Sequence, residues 1–110
     1  MVVNMDEYIS ELIKRYPKLD VCTSDIKETY SLIEQSYSNG NKLLVAGNGG
    51  SAADSEHIVG ELMKGFENPR KLSLEYKERL MSVNDELGKV LGENLQMALP
   101  TIALDGHVAL

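Results

Sequence analysis

The chain has 110 residues, of which 43% are hydrophobic, and its 17 acidic against 11 basic residues give a formal net charge of -6. This length and composition fit one domain with a single core, and an acidic balance without a basic run argues against direct binding to nucleic acid. No stretch approaches the roughly 20 apolar residues of a membrane span, and the N-terminus lacks a signal-peptide pattern, so we expect a cytoplasmic protein. Its single cysteine, Cys22, is expected to be a reduced and partly buried thiol.

The first two segments have the pattern of amphipathic helices. Apolar residues recur at i, i+3 and i+4 spacing over residues 5–16, and Pro17 follows where a helix must stop. A second helix is predicted to begin at Thr23 or Ser24, either of which can cap it, and to end at the Asn-Gly-Asn sequence 39–41.

The next segments predict a buried strand, a turn and a third helix. Residues 42–47, KLLVAG, form a short apolar run between turn residues, which suits a strand buried on both faces of a parallel sheet. Gly47 to Gly50 then turn the chain. A helical period returns from Ser51, and Asp54 three residues later resembles the second half of a capping box.

The remaining segments predict two more helical stretches and a second strand. Residues 67–82 are charged and predict a loop that opens into a short helix. A further helix is predicted from about residue 84 to residue 98, weakened by Gly88 and Gly92 at up to ~1 kcal/mol each. Residues 100–106 predict a second buried strand that ends in a turn. This order of elements predicts the start of an open α/β sheet, and because the chain stops just after the second strand we expect a fragment or a truncated product.

The glycine-rich turn before the third helix has two interpretations. Glycines allow backbone angles that side chains forbid and let a ligand approach the main chain, while the helix that follows directs free N–H groups and the positive end of its dipole at the same place. The sequence GNGGS is neither a Walker loop nor the dinucleotide fingerprint. On these residues alone, the turn either binds a ligand or only connects a strand to a helix.

His57 and Glu61 are the side chains of the third helix that are best suited to bind a metal or to catalyse a reaction. Four residues apart, they leave the helix about 40° apart around its axis and can reach one point. They could share Zn²⁺ or a similar ion, with further ligands from elsewhere, and Glu61 could act as a general base. The alternative is a solvated polar face, formed with Asp54 and Lys64 opposite an apolar face of Ile58, Val59 and Leu62.

The segment GNGGSAADSEHIVGEL resembles the characteristic motif of the SIS (sugar isomerase) domain family, specifically that of the phosphoheptose isomerases. In that family a Gly-Asn-Gly-Gly-Ser turn leads into a helix that carries Asp, then His, then Glu four residues later. The matching positions here are Gly47, Asn48, Gly49, Gly50, Ser51, Asp54, His57, Glu61 and Leu62. The similarity covers roughly residues 5–66 and 95–110, and the stretch between them looks like an insertion.

The resemblance implies an α/β fold: a three-layer SIS-type (flavodoxin-like) parallel sheet flanked by helices, incomplete here and preceded by two N-terminal helices. Residues 1–110 would then be the N-terminal portion of one SIS domain. Its expected parts are a helical lead-in (1–40), the strand, turn and site helix (42–66), a helical insertion (67–98), and the second strand with its turn (100–110).

The resemblance also implies a function. The family converts sedoheptulose 7-phosphate, a ketose, into an aldose heptose phosphate through an enediol. Carried over by position, Asn48, Gly49, Gly50 and Ser51 would contact the sugar phosphate, His57 would bind Zn²⁺, and Glu61 would contact the substrate and the metal and act as the base. The family implies a homo-oligomer, a tetramer with sites between subunits, and neither nucleic acid nor membrane is expected as a partner.

The chain departs from the family pattern in one respect. The family's Ser/Thr-rich phosphate loop, and the Gln and His that complete the metal site and supply the acid, would lie beyond Leu110. His107 is interpreted as a surface histidine and does not replace them. We therefore expect an incomplete zinc site and no measurable isomerase activity from these residues alone.

Two other functions stay open. One is a non-catalytic SIS protein that binds a phosphosugar or a protein partner as a sensor or scaffold. The other is a truncated gene product without an independent function. The presence of both His57 and Glu61 favours the enzyme.

Overall fold

The computed structural model describes residues 4–105, which form two compact units that divide between Asn39 and Gly40. The first unit is helical. Its elements are α1 (Met5–Arg15), a 3₁₀ helix (Pro17–Cys22) and α2 (Thr23–Ser38).

Helix α1 has the boundaries that the sequence predicts. The side chain of Asn4 caps it by accepting a hydrogen bond from the Asp6 N–H at 3.1 Å. Acidic residues occupy its first turn and basic residues its last, which suits the helix dipole. It ends before Pro17, as predicted, and Ile9 is its buried residue.

Helix α2 begins differently from the prediction. The 3₁₀ helix runs directly into it, so Cys22 occupies the cap position and no side chain caps the helix. Thr23, predicted as a cap, lies inside the first turn, where its Oγ1 is 3.5 Å from Asp20 Oδ1. The predicted end is confirmed, because α2 stops at Ser38.

The second unit contains a small parallel sheet. Its strands are β1 (Leu43–Val45) and β2 (Thr101–Ala103), paired in the register Leu43 with Thr101, Leu44 with Ile102 and Val45 with Ala103. Helix α3 (Gly50–Met63) contacts both strands. The predicted parallel pairing and the α/β character of this unit are confirmed.

The sheet is covered on one face only among the described residues. Ser55 of α3 is 3% exposed and Thr101 of β2 is 6% exposed, so these two define the packed side. On the opposite side Leu44 is 54% and Ile102 is 44% exposed. The prediction that residues 42–47 are buried on both faces is therefore wrong for this structure, because side chains alternate along a strand and only one side has a helix against it.

Helix α3 packs through a narrower face than the apolar pattern suggests. Ala52, Ser55, Val59 and Leu62 are its less exposed side chains, whereas Ile58 is 44% exposed. The helix ends at Met63, so Phe66 lies outside it. The packed face of α3 is thus narrow, and Ser55 is its most buried residue.

The stretch that the resemblance suggests is an insertion contains a helical hairpin of α4 (Leu74–Val83) and α5 (Asp85–Asn94). Asn84 ends α4 and caps α5, since its Oδ1 accepts from the Leu87 N–H at 2.8 Å. The helix predicted up to residue 98 ends earlier, because the next residues are extended and Gln96 pairs with Lys71 in an isolated antiparallel bridge.

Gly88 and Gly92, which the sequence suggested only as weak points, lie where the two helices of the hairpin meet. A Cβ on Gly88 would stand 2.5 Å from the Met81 nitrogen, and one on Gly92 would stand 3.2 Å from Lys77 Cγ. Both glycines are buried. They permit a close approach of the helices that a larger residue at position 88 would prevent.

Within residues 4–105, no helix is both long enough and apolar enough to cross a membrane.

Candidate functional site

The glycine-rich turn joins β1 to α3, and two of its glycines are required by geometry. A Cβ on Gly47 would overlap the Ser51 carbonyl oxygen. Gly49 has φ 58° and ψ -124°, a conformation that is closed to residues with a side chain. The turn is therefore a tightly constrained bend rather than a flexible connection.

The start of α3 leaves backbone donors free. Gly49 is the cap residue and no side chain caps the helix, so the predicted capping box of Ser51 and Asp54 is wrong. The N–H groups of Ser51 and Ala52 donate to the carbonyls of Asn48 and Gly49 at 3.1 and 3.2 Å. No hydrogen bond within the described part of the chain engages the N–H groups of residues 48–50. These donors and the helix dipole are available to a ligand.

Asp105 also reaches this turn, although the sequence predicted only a turn at its position. Its Oδ2 accepts a hydrogen bond from the Gly47 N–H at 3.1 Å in a partly buried setting. Its Oδ1 is buried and has no hydrogen-bond partner among the described residues. A pattern in the sequence could have indicated this contact, because Asp105 follows β2 as Gly47 follows β1 and parallel strands end at the same edge.

His57 and Glu61 lie on the side of α3 that faces away from the sheet. Both are exposed, as are Asp54 on the same face and Lys64 directly after the end of the helix. No hydrogen bond or ion pair between the His57 imidazole and the Glu61 carboxylate occurs in the described structure. The helix thus presents the two predicted metal ligands on one face without joining them.

The Glu61 carboxylate is directed at the end of α3. Its Oε2 accepts a hydrogen bond from the Phe66 N–H at 3.2 Å, five residues further along the chain. An open cavity of about 360 Å³ lies beside it and is lined by Glu61, Gly65, Phe66, Glu67, Asn68 and Arg70. The carboxylate is therefore accessible and held at the C-terminal end of the helix, away from the glycine-rich turn.

Arg70 stabilises this end of α3 by hydrogen bonds. Its Nη2 donates to the Leu62 carbonyl at 2.6 Å, and its Nε donates to the Met97 carbonyl at 3.0 Å. Its own carbonyl accepts from the Met97 N–H at 2.7 Å. A guanidinium beside the last carbonyls of a helix also complements the negative end of the dipole. The sequence placed Arg70 only in a charged loop, because its partners are distant in the chain.

The donor set for a metal is incomplete in the described residues. His57 and Glu61 have the right chemistry for zinc, but no group of three or more His, Cys, Asp or Glu side chains that could hold a metal ion occurs between residues 4 and 105. A catalytic zinc site uses three protein ligands. His107 lies outside the described residues. These residues alone therefore do not fit a complete zinc site.

The turn and the carboxylate are well separated within one chain. Eleven residues separate Gly50 from Glu61, which at the helical rise corresponds to about 16 Å along the axis. The contact with Phe66 directs the Glu61 carboxylate further from the turn. A single sugar carbon could not touch both the free N–H groups and the carboxylate of the same chain.

Comparison with known proteins identifies relatives that are named phosphoheptose isomerases. The phosphoheptose isomerase of Aneurinibacillus thermoaerophilus is 42% identical over 69 residues, which is 56% of this chain and 35% of that protein. The phosphoheptose isomerase of Citrifermentans bemidjiense is 50% identical over 46 residues, 42% of this chain and 24% of that protein. Phosphoheptose isomerase 2 of Campylobacter jejuni is 54% identical over 41 residues, 37% of this chain and 20% of that protein.

These relatives confirm the resemblance to the phosphoheptose isomerase family over part of the chain. The chain spans about a third or less of the length of the curated relatives it matches, between 20% and 35% of the three described. No family model matches the sequence. No solved structure matches it either.

Proposed function

We propose that this chain, as a relative of the phosphoheptose isomerases, supplies the turn and site helix of a phosphosugar isomerase that interconverts sedoheptulose 7-phosphate and an aldose heptose phosphate. The observation that carries the proposal is the arrangement on α3: free backbone donors at its start, and an exposed His57 and Glu61 on its outer face. The sequence similarity gives this arrangement its substrate class.

The turn would bind the sugar phosphate. Asn48, Gly49 and Gly50 present N–H groups that no described residue engages, and Ser51 adds an exposed hydroxyl. Gly50 has nothing within 4 Å of the place where a Cβ would stand, so a ligand can approach the backbone there. Such donors bind sugar oxygens and stabilise the negative charge that an oxygen acquires during enolisation.

Glu61 would move the proton between carbons. In the ketose-to-aldose direction its carboxylate takes a proton from the hydroxymethyl carbon next to the carbonyl, and the resulting enediol receives that proton back on the former carbonyl carbon. The Phe66 N–H orients Oε2, and no described residue donates a hydrogen bond to Oε1, which is free to accept the proton. The accompanying transfer between the two sugar oxygens needs a second acid, for which we assign no described residue.

Zinc belongs to the proposal as a partly assigned cofactor. His57 and Glu61 would supply two of its ligands, and the others would come from outside the described residues. A bound divalent ion would stabilise charge on the sugar oxygens. No step is assigned to it, because two donors do not define its position.

The assembly is proposed to be a homo-oligomer. The separation of about 16 Å along α3 between Gly50 and Glu61 favours a site in which a second copy brings one of these groups to the other. The described sheet is proposed to be one part of a larger parallel sheet flanked by helices in three layers. The proposed location is the cytoplasm.

A chimera tests the proposed function. Residues 43–66 of this chain would replace the matching segment of the Aneurinibacillus thermoaerophilus relative, and conversion of sedoheptulose 7-phosphate would be measured by chromatography of the products. We expect activity in the chimera and a loss of about 10²- to 10⁴-fold in kcat when Glu61 is changed to Gln, as for removal of a general base.

The control is Glu56→Gln, which changes an exposed acid on another side of the same helix. It should leave kcat unchanged. A chimera that folds like its parent and binds the sugar phosphate without converting it would contradict the enzyme and support the non-catalytic sensor or scaffold.

A further inference from the structure

We propose that Asp105 is a positioning residue for the glycine-rich turn: its carboxylate fixes the backbone so that the free N–H groups face the ligand, and its charge favours sugar hydroxyls over free anions. This inference rests on the proposed function, because it concerns the same ligand-binding turn.

The first step is the contact itself, which follows from the register of the sheet. Val45 pairs with Ala103, and Gly47 and Asp105 each lie two residues further along. The Leu104 N–H donates to the Val45 carbonyl at 2.9 Å, which extends the pairing toward the turn. The Asp105 carboxylate then accepts from the Gly47 N–H at 3.1 Å. Hydrogen bonds to an ionised acceptor are about twice as strong as neutral ones.

The second step is the effect on the donors that follow. Gly47 is the residue directly before the three free N–H groups of residues 48–50. Because no side chain fits at Gly47, the backbone there has little room to rearrange. A carboxylate that holds the Gly47 N–H therefore sets the direction in which the next donors point.

The third step concerns ligand selection. Asp105 Oδ1 is buried and finds no donor among the described residues, which is an unfavourable state for a carboxylate oxygen. A hydroxyl of a sugar could supply that donor after a small rotation of the Asp105 side chain, without a change in the backbone of the turn. A free anion such as inorganic phosphate would be repelled by the carboxylate at this short range, whereas a neutral sugar hydroxyl would not.

The test uses amide NMR on the chain and three variants. Asp105→Ala removes the acceptor, Asp105→Asn keeps an oxygen but removes the charge, and Glu56→Gln removes one exposed charge without touching the turn. Hydrogen exchange is measured at the Gly47 amide. Chemical shifts of the residue 48–50 amides are followed on addition of sedoheptulose 7-phosphate or inorganic phosphate.

We expect the Gly47 amide to exchange about tenfold or more faster in Asp105→Ala, as for loss of a hydrogen bond to a charged group. The shifts induced by the sugar phosphate should be lost in that variant. Asp105→Asn should respond to inorganic phosphate at a several-fold lower concentration than the unmodified chain, whereas Glu56→Gln should match the unmodified chain in every measurement.

Unchanged Gly47 exchange in Asp105→Ala would overturn the positioning role, and equal phosphate responses in Asp105→Asn and Glu56→Gln would overturn the selectivity. If Asp105→Ala does not fold, the Asp105→Asn comparison decides both points, since loss of the charge should still speed Gly47 exchange measurably. Failure of the proposed function looks different: the unmodified chain would then show no response of residues 48–50 to the sugar phosphate, while Gly47 exchange still reports on Asp105.

Discussion

The glycines of the turn differ in what a side chain would meet at each position. A side chain at Gly47 would overlap the Ser51 carbonyl oxygen, and Gly49 has a positive φ. Gly50 has neither constraint, because nothing lies within 4 Å of its potential Cβ. The fold therefore does not explain a glycine at position 50, whereas the proposed close approach of a ligand would explain it.

This difference predicts that Gly50→Ala and Gly49→Ala have opposite consequences. Gly50→Ala should change the free energy of unfolding by less than about 0.5 kcal/mol but reduce binding of sedoheptulose 7-phosphate. Gly49→Ala should cost about 1–3 kcal/mol, because its backbone conformation is strained for alanine. Urea denaturation and an NMR titration measure the two effects. Unchanged binding by Gly50→Ala would show that no ligand approaches the backbone at that position.

His57 gives a second prediction at the residue scale. With only His57 and Glu61 assigned as donors, the chain should bind zinc weakly, and His57→Ala should lower the affinity at least about tenfold, the smallest effect usual even for a residue that only supports a metal ligand. Isothermal titration calorimetry measures the affinity. His107→Ala is a matched control, since it removes the other histidine of the chain and should leave the affinity unchanged. Equal affinities in the two variants would remove His57 from the metal site.

At the scale of elements, the α4–α5 hairpin depends on close contact between its helices. Gly88 is buried, and a side chain there would collide with the backbone of Leu80 and Met81. Gly60 of α3 is also inside a helix, but it is exposed and has nothing within 4 Å. A Gly→Ala substitution at each of these two positions therefore separates the contribution of helix propensity to stability from that of packing.

We expect Gly88→Ala to destabilise the protein by about 1–3 kcal/mol, because the overlap must be relieved by moving a helix. Gly60→Ala should stabilise it by about 0.5–1 kcal/mol, the usual advantage of alanine over glycine in a helix. Thermal or urea denaturation of both variants provides the comparison. Stabilisation by Gly88→Ala would mean that the helices are not in contact at that position.

The elements themselves were largely predictable from the sequence, whereas several contacts were not. Helical periodicity located α1, α2 and α3, and short apolar runs located both strands, because these signals are local. The predicted caps of α2 and α3 were wrong, because local rules choose among Ser, Thr and Asp and take no account of the path by which the preceding segment enters the helix. The contacts of Asp105 with Gly47 and of Arg70 with Met97 join residues 58 and 27 positions apart, so they depend on the sheet register and on the path of the chain between α3 and β2.

At the scale of the whole molecule, the proposed function assigns the described residues only part of a catalytic apparatus. In that proposal they supply a binding turn, one carboxylate for proton transfer and two metal donors, and no group of three or more ligating side chains occurs within residues 4–105. The resemblance located the turn and the two side chains in the sequence. It could not show that α3 places Gly50 and Glu61 about 16 Å apart along its axis, which is a property of the folded helix.

The isolated chain is accordingly predicted to give no measurable conversion of sedoheptulose 7-phosphate. The physical reason is that Glu61, in its proposed role, would move the carbon-bound proton but not the proton between the sugar oxygens. Product analysis by liquid chromatography and mass spectrometry tests this, with the Aneurinibacillus thermoaerophilus relative assayed beside it as the active control. Turnover comparable to that of the relative would show that the chain supplies the second acid.

The bare side of the two-stranded sheet has a practical consequence. Leu44, Ile102 and Leu104 are exposed there, and neither strand has an outer neighbour within residues 4–105. Open strand edges beside apolar side chains are templates for aggregation. Purified at high concentration, the chain should precipitate or form oligomers of mixed size, and replacing Ile102 with Lys at the edge of this surface should keep it dispersed.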